Sequence, residues 1–136
     1  MLKFFRRFRL SISWGLFILV LTGIPGQFFP KVPTFIDLFA PDKLVHLFIF
    51  GMFVYLLLRE FVGESALSFP RAALYAFLIS ITLGGITEIL QGYVFINRRG
   101  SIYDFIANGV GSGIALLICL VWKRLLVERK EKQTHI

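Results

Sequence analysis

Apolar residues dominate four stretches of the chain, and polar or turn-forming residues separate these stretches. They run over residues 11–29, 44–62, 72–90 and 102–122. As an α-helix, with a rise of about 1.5 Å per residue, each is long enough to cross a hydrocarbon layer of roughly 30 Å. The pattern predicts an all-α protein: one domain of residues 1–136, a polytopic integral membrane bundle of four transmembrane helices, with residues 123–136 as a basic tail.

Composition supports the membrane prediction. Hydrophobic residues make up 57% of the 136 residues and charged residues only 17%, and the mean hydropathy is +0.77. This leaves too few polar residues to cover a soluble domain of this size. The formal net charge of +7 does not indicate nucleic acid, because the basic residues lie at the termini and between apolar runs rather than on one face.

Lysine and arginine are distributed unequally between the two predicted sides of the membrane. Eleven lie in the terminal segments and the second loop, whereas the first and third loops hold Lys31, Lys43, Arg98 and Arg99. The positive-inside rule then predicts that both termini are cytoplasmic, as in an inner-membrane protein. The basic and apolar N-terminus resembles a signal peptide. It lacks a small-residue cleavage site, so we expect it to remain as the first span.

Polar residues recur at the predicted outer ends of three spans. Asp42, Lys43 and His46 open the second span, Glu88 and Gln91 close the third, Arg98 and Arg99 lie in the loop, and Asp104 and Asn108 open the fourth. Spacings of three or four residues place each pair on one helix face. We expect one outward-facing site, with His46, Glu88 and Asp104 as candidate catalytic residues and the other six as binding residues.

Two readings of this cluster stay open. Helix N-termini and basic side chains together favour binding of an anion such as a lipid phosphate. Alternatively, the same residues serve as helix caps and ion pairs, with Ser101 and Asp104 resembling a capping box. Glu88 lies near a helix C-terminus, where the dipole disfavours negative charge, so we expect it to need a cationic partner: Lys43, His46 or Arg98.

Small residues on the fourth span indicate close helix packing. Gly109, Gly111 and Gly113 with Ala107 and Ala115 form overlapping small-xxx-small faces. They also offer a surface for a homo-oligomer. Cys119 is the single cysteine, so no disulfide can form within the chain.

The sequence predicts no metal ligands, and it does not identify a cofactor. Zinc sites usually use more histidine and cysteine ligands than the one span histidine, His46, although carboxylates can hold magnesium or calcium. His135 lies in the tail.

The ordered polar residues resemble the pattern of VanZ-like membrane proteins. The resemblance covers residues 42–113 and runs through Asp42-Lys43-x-x-His46, Glu88-x-x-Gln91 and Arg98-x-x-Ser101-x-x-Asp104-x-x-x-Asn108-x-x-Gly111. Many members have Pro-Gly-Arg before the serine, whereas this chain has Asn97-Arg98-Arg99-Gly100. The resemblance implies a small polytopic bacterial membrane protein. The family's namesake is associated with low-level resistance to teicoplanin, a glycopeptide that acts on cell-wall precursors.

Three functions remain open from the sequence. The first is a non-catalytic factor in cell-envelope physiology or glycopeptide tolerance that binds a membrane lipid or a lipid-linked cell-wall or polysaccharide intermediate. The second is an intramembrane enzyme acting on a lipid-linked phosphate, with His46 as acid/base. The third is a structural subunit whose ion pairs only fix helix packing.

Overall fold

The computed structural model describes residues 2–24, 41–64, 67–95 and 100–134, and this part of the chain is helical, without strands. Its five helices are α1 (Leu2–Arg7), α2 (Arg9–Gly23), α3 (Pro41–Glu64), α4 (Phe69–Tyr93) and α5 (Ile102–Thr134). The all-α prediction is confirmed for these residues.

The starts of the long helices carry the residues that favour helix N-termini. Ser68 is extended and Pro70 lies in the first turn of α4, where its missing N–H and fixed φ cost nothing. Asp42 and Asp104 lie in the first turns of α3 and α5, where the helix dipole favours negative charge. The three helices begin at or within three residues of the predicted span starts, which are residues 44, 72 and 102.

Three helices are long and apolar enough to cross a membrane: Asp42–Gly63, Phe69–Tyr93 and Ile102–Leu126. They contain the predicted spans 44–62, 72–90 and 102–122. Many large apolar side chains on them, including Leu74 and Leu117, are exposed, as expected for surfaces that face hydrocarbon. These features are those of a helical membrane protein.

The first predicted span differs from the other three. Within residues 11–29 the structure describes helix only up to the end of α2, which has 15 residues. At about 1.5 Å per residue this helix is about 23 Å long, shorter than the roughly 30 Å of hydrocarbon. Residues 25–29 lie outside the described residues. The span over residues 11–29, and with it the four-span topology and the location of the termini, therefore stays a prediction.

Helix α3 lies at the centre of the bundle and contacts α2, α4 and α5. Its buried side chains include Ile49, Phe50, Val54 and Leu57, which form the core together with Ile18 of α2. The central position explains why α3 is the most buried of the three long helices.

Helices α3 and α5 approach each other closely at two glycine residues, one on each helix. A Cβ added to Gly111 would overlap the backbone carbonyl of Leu47, and one added to Gly51 would lie 3.0 Å from the carbonyl oxygen of Gly111. The prediction of close packing is confirmed at Gly111. By contrast, a Cβ on Gly113 would meet no described atom within 4 Å. The homo-oligomer stays a prediction.

The helices alternate in direction, so the bundle has two ends. The N-termini of α3 and α5 and the C-terminus of α4 lie at one end, which we call the site end. At the other end, the N-terminus of α2 meets Glu60 near the end of α3. At the site end, the Gln91 amide donates to the backbone oxygen of Thr22, near the end of α2. All four helices thus run the length of the bundle in alternating directions.

Candidate functional site

Three ionisable side chains from three different helices converge at the site end. His46 of α3, Glu88 of α4 and Asp104 of α5 each offer one ligand atom, and these atoms lie within 4.8 Å of one another. His46 is 5% exposed and Asp104 is 7% exposed, while Glu88 is half-buried. We call this group the triad. The meeting of three separately predicted residues is the central feature of the site.

The ring of His46 is fixed by Asn108. Its Nδ1 lies 2.9 Å from Oδ1 of Asn108, which is fully buried on α5. An amide oxygen only accepts hydrogen bonds, so in this arrangement Nδ1 donates its N–H to Asn108, and Nε2 takes no part in this bond. On its other side, His46 stacks nearly parallel to Phe50, one turn along α3. The imidazole is therefore held in one orientation.

Glu88 binds the N-terminus of α5. Its Oε2 accepts the backbone N–H of Ser101 at 2.8 Å, just before the helix begins. Glu88 lies near the C-terminus of α4, where the helix dipole disfavours a negative charge. The positive N-terminal end of α5 opposes that effect. In a capping box Asp104 would accept this N–H; Glu88 does so instead. The expectation that Glu88 depends on a cationic side chain was incomplete, because it left out this backbone donor.

Lys43 is shared between two carboxylates. Its Nζ lies 3.2 Å from Oδ2 of Asp42 and 3.3 Å from Oδ1 of Asp104. The contact with Asp104 is an ion pair whose geometry falls short of a hydrogen bond. Lys43 therefore links Asp42, on its own helix, with Asp104 on α5.

Gln91 connects the site helices to α2. Its side-chain nitrogen donates to the backbone oxygen of Thr22 at 3.1 Å, and the side chain is buried. This contact directs the amide nitrogen toward α2. Arg98 and Arg99, the remaining predicted binding residues, lie outside the described residues.

A groove between α4 and α5 reaches Glu88, one member of the triad. It has a volume of about 630 Å³, and Glu88 is its acidic lining residue among mostly apolar or small neighbours. Its lining includes Ile89, Gly92, Tyr93 and Phe105. The groove lies between two helices that are long and apolar enough to cross a membrane.

Chemically, the triad offers one imidazole and two carboxylates in an apolar surrounding. This set can hold a metal ion, or it can move a proton through His46 with a carboxylate orienting the ring. The described cluster contains no second histidine, so phosphohistidine chemistry of the two-histidine type has no support here.

A second buried acidic residue, which the sequence analysis did not identify, lies at the other end of the bundle. Glu60 is 7% exposed and accepts hydrogen bonds from the Ser11 hydroxyl (2.5 Å) and from the backbone N–H groups of Leu10 (3.0 Å) and Ser11 (3.4 Å). It thereby caps the N-terminus of α2. The available signal was an acidic residue inside the apolar stretch 44–62.

Comparison of the chain with protein-family models, with curated proteins and with solved structures found no match in any of the three. The VanZ-like resemblance therefore stays a prediction that rests on the ordered polar residues.

Proposed function

We propose that this chain is a VanZ-like protein of the bacterial inner membrane that binds a phosphate-bearing lipid at the site end of its bundle. The observation that carries the proposal is the convergence of His46, Glu88 and Asp104 within 4.8 Å. Ionisable residues are expensive in a membrane bundle, so their meeting at one point is typical of a functional site.

Two helix N-termini support the choice of phosphate. Both α3 and α5 begin at this end, and their positive dipole ends favour an anion. Arg98 and Arg99 add two positive charges just before α5 in the sequence. The groove beside Glu88 suits the apolar part of the lipid. Under the predicted topology the site faces outward, so an envelope lipid or a lipid-linked cell-wall intermediate is the ligand class.

Binding of a polyprenyl phosphate, compared with the matching polyprenol, tests the proposal. The full chain in nanodiscs should bind the phosphate form at least tenfold more tightly. Arg98→Met/Arg99→Met should remove that preference. The control Arg59→Met/Lys123→Met, which removes two cations from the other end, should keep it. Equal binding of the two lipids by the parent protein would refute the proposal.

A structural role is the second candidate, because the described polar contacts of the site join different helices. His46–Asn108 and Lys43–Asp104 link α3 with α5, and Glu88–Ser101 links α4 with the start of α5.

Membrane accumulation separates the two candidates. His46→Gln and Glu88→Gln variants that accumulate normally but lose lipid binding favour a binding site. Loss of accumulation in both, with lipid binding retained by the protein that remains, favours the structural role.

A further inference from the structure

We propose that His46, Glu88 and Asp104 bind a divalent transition-metal ion, for which Zn²⁺ is the probe. The ligand atoms lie within 4.8 Å of one another. Zinc–nitrogen and zinc–oxygen bonds are about 2 Å long, so ligand atoms on one ion stand about 3–4 Å apart. Side-chain rotations that move these atoms by about 1 Å close the triad around an ion.

The mixture of ligand types indicates the class of cation. Imidazole favours zinc and its first-row neighbours, whereas carboxylates alone favour magnesium, calcium or manganese. One imidazole with two carboxylates is a nitrogen and oxygen set that suits a borderline ion, and the two negative charges match a divalent cation. The sequence analysis predicted no metal ligands because the spans hold one histidine, although it expected Glu88 and Asp104 to lie in the same site as His46.

The contact between His46 and Asn108 is an independent sign of a ligand-binding histidine. Metal-bound histidines commonly donate their other ring N–H to an oxygen acceptor, which orients the ring. Asn108 supplies that acceptor at Nδ1, and Nε2 stays outside this hydrogen bond as the nitrogen that would bind the ion. Asn108 is fully buried, and its side-chain nitrogen has no hydrogen-bond partner within the described part of the chain. Burying an unsatisfied amide is costly, so its place beside His46 is consistent with a positioning role.

The charges at the site end also favour a cation. Glu88 and Asp104 are carboxylates within an apolar bundle, and Lys43 is the one described ammonium group near them. A buried carboxylate requires a compensating positive charge. Lys43 pairs with Asp104. A divalent ion between the two carboxylates would add positive charge at the point where both side chains meet His46.

A metal ion at the triad would also explain how phosphate binds beside carboxylates. Three protein ligands leave a fourth zinc position open, and a phosphate oxygen can occupy it. This link between metal and lipid rests on the proposed function; the metal site itself does not.

Zn²⁺ binding to the full chain, purified in detergent without a polyhistidine tag, tests the site. The His135→Gln background removes the second histidine, and competition with a chromophoric chelator gives affinity and stoichiometry. We expect one Zn²⁺ per chain, with affinity lowered at least tenfold by His46→Ala, Glu88→Gln or Asp104→Asn. Absence of Zn²⁺ binding in the parent, or unchanged affinity in the triad variants, would overturn the proposal.

Two further variants exclude misfolding as the explanation. Glu60→Gln removes a buried carboxylate at the other end, and it should bind Zn²⁺ like the parent. Lys43→Met removes the ammonium group that competes for Asp104, so its Zn²⁺ affinity should rise severalfold. An unchanged or lower affinity in Lys43→Met would contradict the placement of Asp104 among the ligands.

Polyprenyl phosphate binding with and without Zn²⁺ separates this inference from the proposed function. Zinc binding by the triad without any preference for the phosphate lipid retains the metal site and refutes the lipid function. A phosphate preference that does not change when a chelator removes Zn²⁺ refutes the link between the metal and the lipid.

Discussion

The carboxylate of Glu60 and the hydroxyl of Ser11 form a 2.5 Å hydrogen bond that joins the end of α3 to the start of α2. The same carboxylate accepts the backbone N–H of Leu10. The first N–H groups of a helix have no partner within the helix, and an acidic side chain there is also favoured by the helix dipole. Glu60 thus anchors the shortest apolar helix to the central one.

We expect Glu60→Ala to lower the free energy of unfolding by about 1–3 kcal/mol, because it leaves buried donors of α2 without an acceptor. Glu60→Gln keeps an acceptor oxygen and loses the charge, so its effect should be smaller. Denaturation in mixed detergent micelles, followed by circular dichroism, measures both variants. A Glu60→Ala variant as stable as the parent would show that solvent or lipid replaces the cap.

The Glu60 contact also shows what the sequence could and could not predict. Apolar stretches predicted three helices correctly, since length and hydropathy are local properties of the chain. The position of Glu60 depends on how α2 packs against α3, which no local pattern contains. An acidic residue such as Glu60 is unusual inside an apolar stretch, but the sequence pattern does not indicate which residues it contacts.

For the triad, the sequence predicted that the residues lie at one end of the bundle, but not which contacts they make with the neighbouring helices. Alternating helix directions and helical spacing were sufficient to place His46, Glu88 and Asp104 at one end. The bond from Ser101 to Glu88 depends on how the segment before α5 packs against α4, which no local pattern contains. Pairing of Lys43 with Asp104 likewise required the packing of α3 against α5.

A second prediction concerns the α3–α5 approach. Gly111→Ala should lower the free energy of unfolding by about 1–3 kcal/mol, because its Cβ would overlap the backbone carbonyl of Leu47 and force the helices apart. The matched control is Gly113→Ala, two residues along the same helix, where the added methyl meets no described atom. Alanine is the better helix former by about 1 kcal/mol, so this control should be neutral or stabilising. Equal effects at the two positions would contradict the described packing.

A third prediction concerns the middle of the bundle, where the hydroxyls of Ser80 and Ser112 are 2.8 Å apart and fully buried. A double-mutant cycle with Ser80→Ala and Ser112→Ala should give a coupling energy of about 0.6 kcal/mol, the usual size for polar contacts between membrane helices. Ser112 also donates to the backbone oxygen of Asn108. Because Ser112→Ala removes this second bond as well, the two single substitutions should have unequal effects. Purely additive effects would indicate that the two serines do not interact.

The last prediction concerns Gly100, where the chain enters α5. A Cβ at this position would lie 2.6 Å from the backbone oxygen of Glu88, which is closer than real Cβ contacts allow. Gly100→Ala must therefore push the segment away from α4, and it should break the 2.8 Å bond between Ser101 and Glu88. The control is Gly92→Ala, directly across the same approach, whose Cβ would meet Gly100 at an ordinary 3.8 Å.

Hydrogen exchange at the Ser101 amide measures the result directly. The amide should exchange slowly in the parent and in Gly92→Ala, and at least tenfold faster in Gly100→Ala. Because the Glu88 carboxylate then loses its donor at the start of α5, its position relative to His46 and Asp104 should also change. Zn²⁺ affinity should therefore fall in Gly100→Ala and not in Gly92→Ala. Slow exchange of the Ser101 amide in Gly100→Ala would mean that the backbone of α4 moves instead, and that the hydrogen bond from Ser101 to Glu88 remains despite the added methyl group.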